Sequence, residues 1–222
     1  MSSGVRRRRA VTDEDKSQRR DQIVAAAKEV FAHKGFHATT IADIAKRANL
    51  AYGSVYWYFD SKDELFHALM AAEESALRGH VGAALTAAEA RNGGHQAPLR
   101  ATLHTAAQAT LEFFEVDKTT VKLLLRDPYA LGERFEKHLG GIYERFVDGI
   151  EGVVVAAQGS GEVVAAPPRM VAYTLAALVG QLAQRRLSTD DGVTAAQVAD
   201  FVVELVFDGL RPRGPTGPAP GI

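Results

Sequence analysis

Cysteine is absent from the 222-residue chain, so neither a disulfide framework nor a thiolate metal site can form. That absence suits a reducing, cytoplasmic compartment. No apolar run approaches the roughly 20 residues that cross a bilayer, so no membrane-embedded helix is expected. The basic cluster Arg6, Arg7, Arg8 and Arg9 is followed by no apolar segment, which argues against a secretory signal. Internal repeats are missing. Strand-like alternation is missing too, although Val153, Val154 and Val155, and then Val163 and Val164, are β-prone. Catalytic signatures are equally sparse. Ser160 lies in Gly-Ser-Gly without the flanks of a nucleophile elbow, and Gly159 and Gly161 lack the third glycine of a dinucleotide loop. His33 and His37 are four apart, but Gly35 interrupts the helical face they would need to share a metal. The expectation is a protein without metal, cofactor or enzymatic activity.

What is present is an apolar fraction of 46%, enough for a sizeable core, and a lopsided charge. Residues 1–62 carry 12 Lys and Arg against 7 Asp and Glu, whereas the remainder carries 14 against 20. A basic segment joined to an acidic one points to a polyanionic partner for the first. Surface imbalance of this size also occurs with no partner at all.

Residues 1–17 are polar and aperiodic and read as a flexible arm. From Arg19 the pattern turns helical: Ile23, Ala26, Ala27, Val30 and Phe31 form one stripe, and Gly35 ends it. Thr40 with Asp43 makes a capping box, after which Ile41, Ile44, Ala45 and Ala48 supply the inner face of a second helix. Asn49 tolerates positive φ and marks a tight turn. A short helical stretch, 51–59, follows, with Val55 and Phe59 inward. Ser61 and Glu64 cap a fourth helix. Helix, helix, tight turn, short helix is helix-turn-helix geometry.

Thr39-Thr40-Ile41-Ala42-Asp43-Ile44-Ala45, Gly53-Ser54-Val55-Tyr56-Trp57-Tyr58-Phe59 and Ser61-Lys62-Asp63-Glu64-Leu65, with Ala27, Phe31 and Gly35 upstream, resemble the TetR family of bacterial regulators. The resemblance spans about residues 19–66. Asn49 departs from that family's usual turn glycine, and Ala51 stands where a serine often opens the reading helix. The resemblance implies an all-α protein. A helix-turn-helix domain would occupy residues 18–66, a ligand-binding and dimerisation domain residues 67–210, and a disordered tail residues 211–222. It further implies that Tyr52, Gly53 and Ser54 face bases in double-stranded operator DNA, with Trp57 at the edge. Thr40, Tyr56 and Lys62 would hold phosphates. The same residues have plainer readings: Tyr56 and Tyr58 as packing aromatics, Trp57 as an exposed aromatic, Lys62 as a solvated lysine. The arginine cluster reads either as a DNA-contacting arm or as a solvated tail.

Beyond residue 64, apolar spacing predicts helices at 64–91, 98–116, 119–126, 129–157, 168–187 and 195–210, with breaks at Asn92-Gly93-Gly94 and Gly159-Ser160-Gly161. The last carries a wide apolar stripe, and the one before it is apolar over more than one face. Leu175, Leu178, Val179, Leu182, Val198, Phe201, Val202, Leu205 and Val206 are therefore the candidates for a homodimer interface. The resemblance implies a four-helix one; burial within one protomer is the alternative. His104, Gln108, Phe113, Phe114, Tyr129, Phe135, Tyr173 and Gln181 are candidates for a pocket that binds a small, hydrophobic effector. The function implied is a repressor that grips a palindromic operator as a dimer and is released by that effector. A DNA-binding regulator with no effector, or an enzyme of unknown activity, are the alternatives.

Overall fold

The computed structural model describes residues 12–95, 97–119, 133–163, 165–186, 189 and 192–210, without the side chains of 133–135 and 208–210. The arginine cluster at 6–9, the helix expected at 119–126 beyond its first residue, Tyr129, the Phe135 side chain and the tail at 211–222 lie outside the described residues. The described residues are helical and contain no strand: α1 (Asp13–Lys34), α2 (Ile41–Arg47), α3 (Tyr52–Val55), α4 (Lys62–Arg91), α5 (Leu99–Val116), α6 (Glu133–Gly159), α7 (Pro168–Arg186) and α8 (Ala195–Leu210). The β-prone Val153, Val154 and Val155 are inside α6, where Val154 is fully buried. Tertiary packing overrides local propensity there. The chain divides into two compact units, Met1–Leu69 and Met70–Ile222.

In the first unit, α1 starts six residues earlier than the apolar pattern indicates. Thr12 accepts from the Asp15 backbone N–H at 3.1 Å, and the Asp15 carboxylate accepts from the Thr12 N–H at 2.9 Å. This capping box, with Asp13, Glu14 and Asp15 in the first turn, starts a helix whose opening turns are fully exposed. Residues 13–17 are thus helix rather than flexible arm. The core below is aromatic. Phe31, Phe36 and Phe66 form a triangle with ring centres 5.2–5.6 Å apart. Ile23, Ala27, Ile44, Val55, Leu65 and Leu69 are fully buried with them. Each large apolar side chain so buried contributes roughly 1.5–3 kcal/mol.

In the second unit, α5 packs on α8, and α6 on α7, with α7 also meeting α5 and α8. Leu103, Leu111, Phe114, Val179, Val202 and Val203 are among the residues of the shared core. Val147, Ala172 and Ala176 join α6 to α7. Arg169 at the start of α7 binds Glu144, Asp148 and Glu151 on α6. Arg186 at its other end binds Glu115 and the Val193 carbonyl. The first amide of α5, the Leu99 N–H, has no acceptor within the helix and donates to Glu162 at 2.6 Å, 63 residues away.

Candidate nucleic-acid interface and ligand cavity

The turn between α2 and α3 closes as a Schellman motif. Asn49 has φ 55°, the one positive φ at a non-glycine among the described residues. Its N–H donates to the Lys46 carbonyl at 3.2 Å, and the Leu50 N–H to the Ala45 carbonyl at 2.8 Å. Asparagine thus serves where glycine is usual, because its short side chain tolerates the left-handed region. Gln22 of α1 fixes the turn from outside, donating to the Ala48 carbonyl at 2.8 Å. Arg47 pairs with Glu29, and Lys34 with Asp43 at 2.6 Å, locking α2 against α1.

On this base α3 presents one face inward and one outward. Val55 and Phe59 are buried, as their spacing predicts. Tyr52, Tyr56 and Trp57 are 55%, 43% and 87% exposed, Gly53 is exposed, and Ser54 is half-buried. The Tyr52 and Tyr56 hydroxyls meet at 2.9 Å with their rings edge to face. That bond pushes the Tyr56 hydroxyl above its usual pKa of 10, so it stays protonated. Tyr58 is half-buried, in keeping with packing. A Cβ on Gly53 would meet nothing within 4 Å, so nothing inside the protein requires glycine there. Ala51 offers no side-chain cap to α3.

Two expected phosphate contacts are placed differently. Thr40 is exposed, but its hydroxyl donates to Asp43 at 2.8 Å while accepting from the Asp43 N–H. A phosphate would have to draw that proton away from a carboxylate. Asp43 itself is held down at a pKa of about 2, chiefly by hydrogen bonds from Lys34 and Thr40. Lys62 points inward. Its ammonium donates to the Phe36 and Thr39 carbonyls at 2.8 Å each, reaches the His37 carbonyl at 3.4 Å, and lies 4.4 Å from the Phe36 ring centre. An ammonium has three donors, and all three are engaged, so Lys62 positions the α1–α2 loop rather than waiting for phosphate. The Ser61 cap forms, with Ser61 Oγ accepting from the Glu64 N–H at 3.1 Å. The Glu64 carboxylate reaches past Ser61 to the Asp60 N–H.

In the second unit, two adjoining cavities of about 280 and 120 Å³ lie between α4, α5, α6 and α7, sharing Leu77, Arg78, Thr110 and Phe146. Of the pocket candidates among the described side chains, only Phe114 lines either one. His104 pairs with Asp200 at 3.0 Å, and Gln108 donates to Glu112 at 2.7 Å. Phe113 packs beside His80, Tyr173 donates to Glu144, and Gln181 is exposed. The sequence reading favoured bulky and polar residues. A cavity instead opens where side chains are small, here beside Gly82, Ala106, Ala107 and Gly149.

The dimer candidates also separate. Leu175, Val179, Val198 and Val202 are buried within the unit's own core and cannot face a partner. Phe201 and Leu205, one turn apart on α8, are 62% and 54% exposed, while Leu178, Leu182 and Val206 are half-buried. Met170 on α7 is 61% exposed.

The pattern shared by "Bacterial regulatory proteins, tetR family" matches residues 23–69, the span that builds the turn and the exposed α3 face. Residues 23–69 thus carry the DNA-binding domain of the TetR family. A TetR-family protein is a DNA-binding transcription regulator, and its curated relatives carry such names. The HTH-type transcriptional activator FasR of Mycolicibacterium smegmatis is 26% identical over 88% of this chain and 84% of its own. Further curated regulators match over 56–66 residues only, so this chain spans about 30% of the length of most of them. In fold, the chain is similar to the transcriptional regulator FadR from Bacillus subtilis in complex with stearoyl-CoA. That likeness has a TM-score of 0.71 at 18% identity and covers 86% of this chain and 99% of the other. It is also similar to AibR in complex with isovaleryl coenzyme A and operator DNA, with a TM-score of 0.67 at 18% identity over 85% and 98%. No helix among the described residues is long and apolar enough to cross a membrane.

Proposed function

We propose that the protein is a cytoplasmic, homodimeric repressor that binds a palindromic operator in double-stranded DNA and is released by a small, apolar effector. The observation that carries the reading is the outward face of α3. Tyr52, Tyr56 and Trp57 are large, exposed and held by a well-packed unit, with nothing in that unit to cover them. Tyr52, Gly53 and Ser54 would read base edges, with Tyr56 and Trp57 at the rim and the backbone approaching the duplex at Gly53. One short helix grips weakly, so a pair joined through the exposed strip of α7 and α8 is needed. The half-sites then lie about 34 Å or a multiple apart.

The effector reading rests on the apolar cavity. Its larger part falls near the lower end of the roughly 300–1,000 Å³ of small-molecule sites. The acyl-coenzyme A ligands named for FadR and AibR support an apolar chain. Residues of α4 from Glu74 to Leu85 line the cavities, and Lys62, Leu65 and Phe66 of the same helix belong to the reading unit. An effector that prefers one state of α4 shifts the population of DNA-competent protein by its differential affinity. Activation is the second reading, favoured by the name of FasR.

Selection of bound fragments from a random duplex pool, followed by footprinting, tests the proposal. A two-fold-symmetric site, protected by the intact chain and lost with Tyr52→Ala, is expected. Binding with no symmetric site, or binding indifferent to Tyr52 and Trp57, overturns it. Transcription from a promoter carrying the site separates repression from activation.

A further inference from the structure

The two cavities are apolar over most of their walls, but the charged residues that line them form one group, Glu74, Arg78 and Arg145. Arg145 grips Glu74 with two parallel hydrogen bonds, Nε to Oε1 at 2.7 Å and Nη2 to Oε2 at 2.6 Å. Arg78 is exposed at the rim of both cavities. It is near enough to help hold the Glu74 carboxyl below its ordinary pKa, though the Arg145 bonds are the main cause. Among the described residues Arg78 makes no hydrogen bond or ion pair. The group therefore carries a net positive charge beside an apolar chamber. One guanidinium there lacks an ion partner among the described residues, and the other is paired in a geometry that any carboxylate or phosphate can copy.

We infer that the cavity takes an apolar chain ending in an anionic head, with Arg78 as the first anchor and Arg145 as a second that exchanges Glu74 for the ligand. This rests on the effector reading above and gives it a chemical class. Leu77, Val81, Leu103, Ile150 and Val153 offer the tail a wall without hydrogen-bonding side chains. Such a wall stabilises a chain by area alone and cannot tell one apolar ligand from another. Discrimination falls to the head. A cation meets net repulsion, and a neutral head leaves Arg78 without an ion partner. An anion gains a fork geometry that already exists at Arg145, where Glu74 acts as its stand-in. Glu74 is thus a built-in competitor that occupies the Arg145 fork when the site is empty and sets the affinity.

Isothermal titration of the full-length protein without DNA tests this with decanoate, decanoyl-coenzyme A, decanol and decyltrimethylammonium as probes. Decanoate or decanoyl-coenzyme A should bind at least tenfold tighter than decanol, with the cation weakest. Whichever of the two anions binds tighter identifies the head as a carboxylate or as coenzyme A phosphates. Arg78→Met should remove the preference for the anion and leave decanol unchanged. Glu74→Gln should tighten anion binding severalfold, a gain that a merely structural role for Glu74 does not give. Equal affinity for decanoate, decanol and the cation overturns the head-group assignment while leaving an apolar effector in place. The same holds if Glu74→Gln weakens all four probes alike. Failure of every probe to bind overturns both.

Discussion

The ammonium of Lys62 lies 2.8 Å from the Phe36 carbonyl and 4.4 Å from the centre of the same residue's ring, so one residue meets the charge with both its backbone and its side chain. With the Thr39 carbonyl as a second close acceptor, Lys62 ties the first turn of α4 to the loop between α1 and α2. Removing it as Lys62→Met takes the ammonium donor from the Thr39 carbonyl and leaves the Phe36 carbonyl only the Thr39 N–H at 3.3 Å. The expected cost is about 1–3 kcal/mol of stability. Urea unfolding of the variant measures it. A salt titration of DNA affinity separates the two roles expected of this residue. A positioning lysine lowers affinity with the salt slope unchanged, whereas a phosphate contact reduces that slope by about one.

Gly53 supplies a complementary test, because the space above it is empty in the free protein. Gly53→Ala adds a methyl group to α3 without a clash and restores helix propensity, so thermal stability should hold or rise by up to about 1 kcal/mol. If the backbone there approaches the duplex, operator affinity measured by fluorescence anisotropy should fall tenfold or more. Undiminished affinity in a stable variant would show that the backbone at this position stays clear of the DNA.

The division between what could and could not be read in advance has a physical pattern. Local devices were legible: the Thr40–Asp43 cap, the Asn49 turn, and the inward Val55 and Phe59 each depend on residues within four positions. The Thr12–Asp15 cap was equally local and was missed because the turns it starts are wholly solvated and show no apolar stripe. Devices that span the chain left no such trace. Glu162 caps α5 across 63 residues. Lys62 finds carbonyls 23–26 positions upstream. The cavity is bounded by four helices whose small residues look unremarkable one at a time. Four of the nine dimer candidates are buried in the unit's own core for a related reason: apolar spacing identifies a helix that is buried but does not say by what.

Acid should weaken the reading unit through Asp43. Its folded pKa is lowered from 3.8 to about 2 by Lys34 and Thr40. A depressed carboxylate contributes stability that is fully present above its unfolded value and is lost as pH falls through the folded one. The Asp43 contribution should therefore decline between about pH 4 and pH 2. Asp43→Asn should flatten the stability profile over that window while lowering stability at neutral pH. Circular dichroism melts from pH 2 to 7 check this. An unchanged acid limb in the variant would remove Asp43 from the lock between α1 and α2.

Exposure within α8 makes the strongest distinction between assembly and folding. Phe201 and Leu205 stand 62% and 54% exposed on one face, while Val202 and Val203, the residues after Phe201, are almost fully buried. If α8 meets a second copy through its outer face, Phe201→Glu with Leu205→Glu puts two carboxylates into that contact. The protomer's own core is left alone. Sedimentation velocity should then show a monomer whose helical content is unchanged, and operator affinity should fall by more than a hundredfold, since each reading helix must bind alone. Val202→Ala should behave in the opposite way, lowering stability by about 1–3 kcal/mol through the cavity it leaves while the protein stays dimeric at high concentration. A double glutamate variant that remains dimeric and binds its operator would place the contact elsewhere, with Met170 and the outer face of α7 the next surface to probe.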